Sequence, residues 1–143
     1  MHEVPFSGRI DVALACLLVV ERHGSVARHA VTRDEIAADV LALVDVLEID
    51  PLCLGDLDAF EVEIERSLLR LDSAGWIETR LHQGPPEFAP RPVAEDVVAW
   101  ARSRLRHDPV RTAAFERLDR AVTSRVTASR ARTRPSRGAA HRA

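Results

Sequence analysis

The stretch from residue 56 to residue 92 constrains the fold more than any other part of this chain. Leu57, Phe60, Ile64, Leu68 and Leu71 recur at intervals of three and four, the spacing of one helix face. Gly75 supplies the left-handed stop, so the spacing predicts a helix over 56–74. Trp76 to Leu81 then reads as a strand, with aromatic and β-branched residues enriched. Gln83-Gly84-Pro85-Pro86 is turn chemistry. Glu87 to Ala89 returns as a short second strand before Pro90 and Pro92 interrupt it. A helix that runs straight into a β-hairpin must bury its stripe against other helices, which directs attention to the flanking segments.

Before it, residues 9–22 form a first helix. Ile10, Ala13, Leu14, Leu17 and Leu18 share one face, and Val12, Cys16, Val19 and Val20 carry apolar character around most of the rest. A helix apolar nearly all round is buried, by its own domain or by a partner. His23-Gly24-Ser25 is expected to end it through a left-handed glycine. Thr32 and Glu35 then make a capping box that starts a second helix at Arg33. Ile36, Val40, Leu43, Val44 and Leu47 recur along it, and Asp50-Pro51 is its expected end. The connection over 49–55 is apolar and longer than a tight turn.

After the hairpin, a fourth helix starts near Val93 with Val97, Val98, Ala101 and Leu105 on its core side. Asp108 caps and Pro109 opens a fifth helix, expected over 109–126, which uses Val110, Ala114, Phe115, Leu118, Ala121 and Val122 as its apolar positions. Residues 129–143 hold five arginines, no acid and almost no large apolar side chain. Such a segment buries too little surface to offset its ordering entropy, and is expected to be disordered in isolation. The expected organisation is therefore a flexible arm over 1–8, a domain over 9–106, a C-terminal helix over 107–128 that is a candidate dimer element, and an Arg-rich tail.

Charge divides the chain. Residues 1–101 carry 8 Arg against 19 Asp and Glu, whereas residues 102–143 carry 12 Arg against 3. A basic segment of this kind meets nucleic acid, or meets the acidic part of its own or a second chain. All the basic residues are arginine. Cys16 and Cys53 lie far apart among apolar neighbours, as buried thiols do in a reducing cytoplasm. No apolar run approaches a membrane span. Phosphate-binding glycine loops, H-E-x-x-H and G-x-S-x-G are all missing, and the six histidines are scattered. Neither an enzyme, a metal site nor a cofactor is expected.

The order helix, capped helix, helix, Gly-Trp corner, hairpin, helix resembles the winged helix-turn-helix regulators of bacteria, of the broad PadR, MarR and Rrf2 kind. "VTRDEIAADV" is similar to their helix before recognition, and "IERSLLRLDSAGWIETR" to a recognition helix entering a wing. The resemblance covers roughly residues 32–100. It implies a mostly α fold with a two-stranded wing and C-terminal helices. It also implies a homodimer made through helices 1 and 5, and a third helix that reads double-stranded DNA in the major groove. Two features depart from the pattern: the long connection before helix 3, and a wing tip, "HQGPPE", without arginine.

The third helix opens with "DLDAFEVEIE", five carboxylates in ten residues. On a helical wheel, Asp58, Glu61, Glu65 and Asp72 fall on one flank of the core stripe, whereas Arg66, Arg70 and Ser73 fall opposite it. The DNA reading assigns Arg66, Arg70 and Ser73 to base or phosphate contacts and Arg33, Arg80 and Arg91 to the duplex edges. Arg130, Arg132, Arg134 and Arg137 would hold the backbone. In the alternative, the acidic body together with exposed Val62 and Leu69 docks a protein partner.

Overall fold

The computed structural model describes residues 6–49 and 55–142, with side chains described as far as residue 129. It is mostly helical, with a small antiparallel sheet. In chain order the elements are α1 (Val12–Val26), β1 (Val31–Thr32), α2 (Arg33–Leu41), a single 3-10 turn (Val44–Val46), α3 (Leu57–Ser73), β2 (Ile77–Arg80), β3 (Glu87–Pro90), α4 (Ala94–Arg104) and α5 (Pro109–Arg142).

The core is built around α1. Asp11 caps it by accepting from the Leu14 amide at 3.0 Å. Every residue from Val12 to Val20 is buried. α3 packs on one side of α1 and α5 on another, with α2, α4 and β3 closing the rest. The all-round apolarity of this helix is thus satisfied within one chain. The faces of helices 1 and 5 that the resemblance assigned to a dimer are consumed internally: Phe115, Leu118, Val122 and Val126 of α5 belong to the same core. Cys16 lies at its centre, where burial pushes the thiol up and keeps it protonated. Cys53 and the expected Asp50-Pro51 stop lie outside the described residues.

Several boundaries differ from the sequence expectation, each for a physical reason. Gly24 does not end α1 but sits inside it, because a side chain there would meet the Pro90 ring of β3. The left-handed residue is Arg28, at φ 53°, and the His29 amide closes that turn on the His23 carbonyl at 3.0 Å. α2 stops at Leu41 rather than continuing through Leu47, since Glu48 is held by distant partners. Its carboxylate accepts from the Ile10 amide at 2.7 Å and from Arg111 at 2.7 and 2.9 Å. Leu57 is 67% exposed and stands outside the stripe, which Phe60, Ile64, Leu68 and Leu71 complete, and Val110, at 79% exposed, lies off the core face of α5. The arm expected over 1–8 is anchored where its description begins: Phe6 packs edge-on against Trp100 at 5.5 Å.

The sheet has three strands rather than the two expected. Its order is β1-β3-β2, with Val31 opposite Phe88 and Thr32 opposite Glu87 at one edge. β2 and β3 form the anticipated hairpin, with Ile77 opposite Pro90 and Arg80 opposite Glu87. Gly75 turns the chain into it at φ 79°.

The backbone of α5 is helical to Arg142. Alanine and arginine, which dominate residues 128–134, rank among the better helix formers, and the segment extends a helix already nucleated on the core. α5 also accounts for part of the charge division. Arg111, Arg117 and Arg125 pair with Glu48, Asp45 and Asp39 at 2.7, 3.7 and 2.9 Å. Asp39 also accepts from buried His23 at 3.1 Å; burial opposes its charge, yet the hydrogen bonds from His23 and Arg125 hold its pKa below the usual carboxylate value.

The Glu48 clamp gives a pH prediction. Hydrogen bonding from Arg111, opposed by desolvation and helped by the Ile10 amide, draws its carboxyl from 4.5 down to about 2. The folded pKa lies below the unfolded one, so the stabilisation is complete above about pH 4.5 and is lost as pH falls toward 2. Glu48→Gln is expected to lower the urea midpoint at pH 6 and to converge on the parent midpoint near pH 2. Equal midpoints at pH 6 would show that the clamp contributes nothing.

Candidate interaction groove

The hairpin leans over α3 and leaves a groove of about 670 Å³ between them. α2 closes one end with Thr32, Arg33 and Asp34, whose positions follow from the capping box. α3 supplies Glu65 and Leu69 from its exposed side and Leu68 from the edge of its buried stripe. The sheet supplies Thr79 and Phe88, and the hairpin turn supplies Pro85 and Pro86. The floor is apolar, and the charges at its rim are Arg33, Asp34 and Glu65.

These charges are already arranged. The Arg33 guanidinium donates to Glu65 and lies 3.6 Å from Asp34. The Glu65 hydrogen bond raises the Arg33 pKa above its usual value. One cation thus faces two carboxylates, and the rim is left acidic. Glu61 and Asp58, one and two turns from Glu65 toward the start of α3, are exposed and make no ion pair among the described residues. Asp72, further along the same flank, is used structurally and accepts from the Thr79 hydroxyl at 2.9 Å. Leu69 is 68% and Val62 50% exposed beside this acidic flank.

Three of the arginines expected to meet DNA are held by partners within the chain. Arg33 is engaged by Glu65. Arg80, at the end of β2, donates twice to Glu78, at 2.8 and 3.0 Å. Arg91 follows β3 and donates to the Ile77 carbonyl at 3.3 Å. Only Arg66, Arg70 and Ser73 stand together on the exposed ridge of α3, with Arg66 3.8 Å from Glu63. At the hairpin tip, His82 is paired with Glu87 at 2.8 Å. The side chains of Arg130, Arg132, Arg134 and Arg137 lie outside the described residues, on the helical backbone of α5.

Sequence reasoning read Pro85, Pro86 and Phe88 only as turn and strand, and missed their common surface with Leu69. The signal available was the odd exposure of Leu69 on a polar wheel face. Arg28 was also missed: with His29 and Arg80 it borders a smaller cleft of about 220 Å³. Among the described residues no cluster of three or more His, Cys, Asp or Glu can hold a metal ion, and no helix is long and apolar enough to cross a membrane.

No protein-family model matches this chain, and neither a curated protein nor a solved structure matches it significantly.

Proposed function

We propose that this chain is a winged-helix interaction module, acting in the cytoplasm, that binds an arginine-rich protein segment in the groove between α3 and the wing. In this reading α3 occupies the place of a recognition helix and β2–β3 form the wing. The role is binding, without catalysis. The observation that carries it is the rim and floor of the groove: Asp34 and Glu65 stand over Leu69, Pro85, Pro86 and Phe88, with only Arg33 between them. Carboxylates beside an apolar floor repel phosphate and accept guanidinium groups, whose aliphatic stems lie on apolar surface. The first half of α3, which a major groove would meet, carries Asp58, Glu61 and Glu65 and no cation.

A second reading is a DNA-binding regulator. The exposed ridge of Arg66, Arg70 and Ser73 favours it, with Arg91 and the end of α5 as further backbone contacts. Fluorescence anisotropy separates the two. A labelled helical peptide of alanine and arginine and a labelled duplex are titrated at low salt. The peptide is expected to bind. Asp34→Asn plus Leu69→Ser, both at exposed positions, is expected to weaken it about tenfold, or ~1.4 kcal/mol. Duplex binding that falls about tenfold with Arg66→Ala plus Arg70→Ala, and ignores the groove changes, would transfer the function to DNA.

A further inference from the structure

We propose that the cleft of about 220 Å³ where the end of α1 meets the sheet binds a phosphate monoester dianion through Arg28, Arg80 and His29. This site is separate from the groove and does not depend on it.

Strand alternation sets the two apart, because successive residues of a strand point to opposite faces. Thr79 and Phe88, paired across the hairpin, line the groove. Arg80 and Ala89, the next residue of each strand, line the cleft. The end of α1 and the turn after it add Gly24, Arg28, His29 and Ala30, and Pro90 completes the wall. Gly24, Ala30 and Ala89 have little or no side chain, which leaves room between the larger polar groups.

The carboxylates around this cleft already have partners. Glu78 accepts from Nε and Nη2 of Arg80 through one oxygen, at 3.0 and 2.8 Å. Glu87, on the same strand face, pairs with His82 at 2.8 Å. One oxygen of Glu35 accepts from the Thr32 amide and hydroxyl, each at 3.1 Å, and the other stands 3.6 Å from His29. Arg28 makes no hydrogen bond or ion pair among the described residues, so its charge is surplus. Nη1 of Arg80 stays outside the bonds to Glu78.

The backbone at Arg28 points the same way. Its φ of 53° makes it the one non-glycine residue at positive φ among the described residues. The left-handed region disfavours a side chain and suits glycine. The His29 amide, bonded to the His23 carbonyl at 3.0 Å, holds the turn in this shape. Strain of this kind collects where a side chain has work to do, and here it sets a guanidinium on the cleft wall. Two guanidinium groups and an imidazole, from segments far apart in the chain, form a donor set for phosphoryl oxygens, which accept forked hydrogen bonds. Size narrows the ligand further. Drug-sized molecules occupy about 300–1,000 Å³, so this smaller cleft takes a phosphoryl group and leaves its bearer in solvent.

Amide chemical shifts of the full chain test this. Titration with inorganic phosphate at about pH 8, where phosphate is a dianion, is expected to shift the Arg28, His29, Ala30 and Arg80 amides to saturation. Sodium chloride at matched ionic strength is expected to leave them in place. Arg28→Gly is expected to weaken phosphate binding at least tenfold without lowering the urea midpoint, since glycine accepts the left-handed turn. Loss of binding in an equally stable protein separates the site from a folding defect. Arg80→Gln is expected to weaken binding as well. A phosphoserine peptide that binds more tightly than inorganic phosphate, while its serine counterpart does not bind, supports the site and assigns the group to a protein side chain. Equal affinity for the phosphopeptide and inorganic phosphate supports the site and assigns it to a free phosphate. Shifts that chloride reproduces, or an Arg28→Gly protein that binds phosphate like the parent, overturn the proposal.

Discussion

Phe115→Ala is expected to cost about 3–5 kcal/mol, the range for removing a buried phenyl ring. Phe115 is 1% exposed and is among the largest fully buried side chains of the core. It anchors the start of α5 beneath Arg102, which also bonds Glu116 at 2.9 Å and Asp119 at 2.5 Å. Alanine removes the ring, opens a cavity and takes away the surface on which Arg102 lies. Against a total stability of about 5–15 kcal/mol, that loss is a large share. Urea denaturation measures it, with Arg117→Ala as the control. Arg117 pairs with Asp45 at 3.7 Å, both exposed, and its removal is expected to change stability by less than about 1 kcal/mol. If Phe115→Ala cost no more than Arg117→Ala, α5 would not be part of the core.

That contrast also explains which parts of the molecule were readable beforehand. Signals that act within a few residues transferred well. The Thr32–Glu35 capping box opens α2, and Gly75 takes the left-handed turn that ends α3. Features fixed by partners far along the chain did not transfer. α2 ends early because Glu48 answers to Ile10 and Arg111, 38 and 63 residues away. β1 is two residues long, too short for alternation to show, and exists because β3 returns beside it. The groove is the same kind of feature. Its acidic end depends on Arg33 meeting Glu65 across 32 residues, so Arg33 reads in sequence as a free cation and in the structure as a neutralised one. Exposure of Arg66, Arg70 and Ser73 did follow from the wheel, because a clean stripe fixes the opposite face as well.

Gly24→Ala isolates one of those long-range constraints. In an ordinary helix interior the change gains about 1 kcal/mol, because alanine is the better helix former. Here it is expected to lose about 1–3 kcal/mol, the cost of overpacking. A Cβ on Gly24 would stand 2.3 Å from Cγ and 2.5 Å from Cδ of Pro90. Carbon pairs prefer about 3.5–4.0 Å, so roughly 1 Å of movement is needed. The pyrrolidine ring cannot rotate away, so the backbone of β3 must shift. β3 is the central strand, paired with β1 through Phe88 and with β2 along the hairpin, so the displacement reaches the sheet side of the groove. Each kcal/mol is expected to lower Tm by roughly 3–4 °C in a chain of this size. Gly55→Ala is the control, since nothing lies within 4 Å of its added carbon. The decisive comparison is the double variant Gly24→Ala, Pro90→Ala. Removing the ring relieves the overlap, so the pair is expected to be more stable than the sum of the single changes by at least about 0.5 kcal/mol. A Gly24→Ala protein that gains stability, or a double variant that is merely additive, would mean that α1 and β3 do not meet at this point.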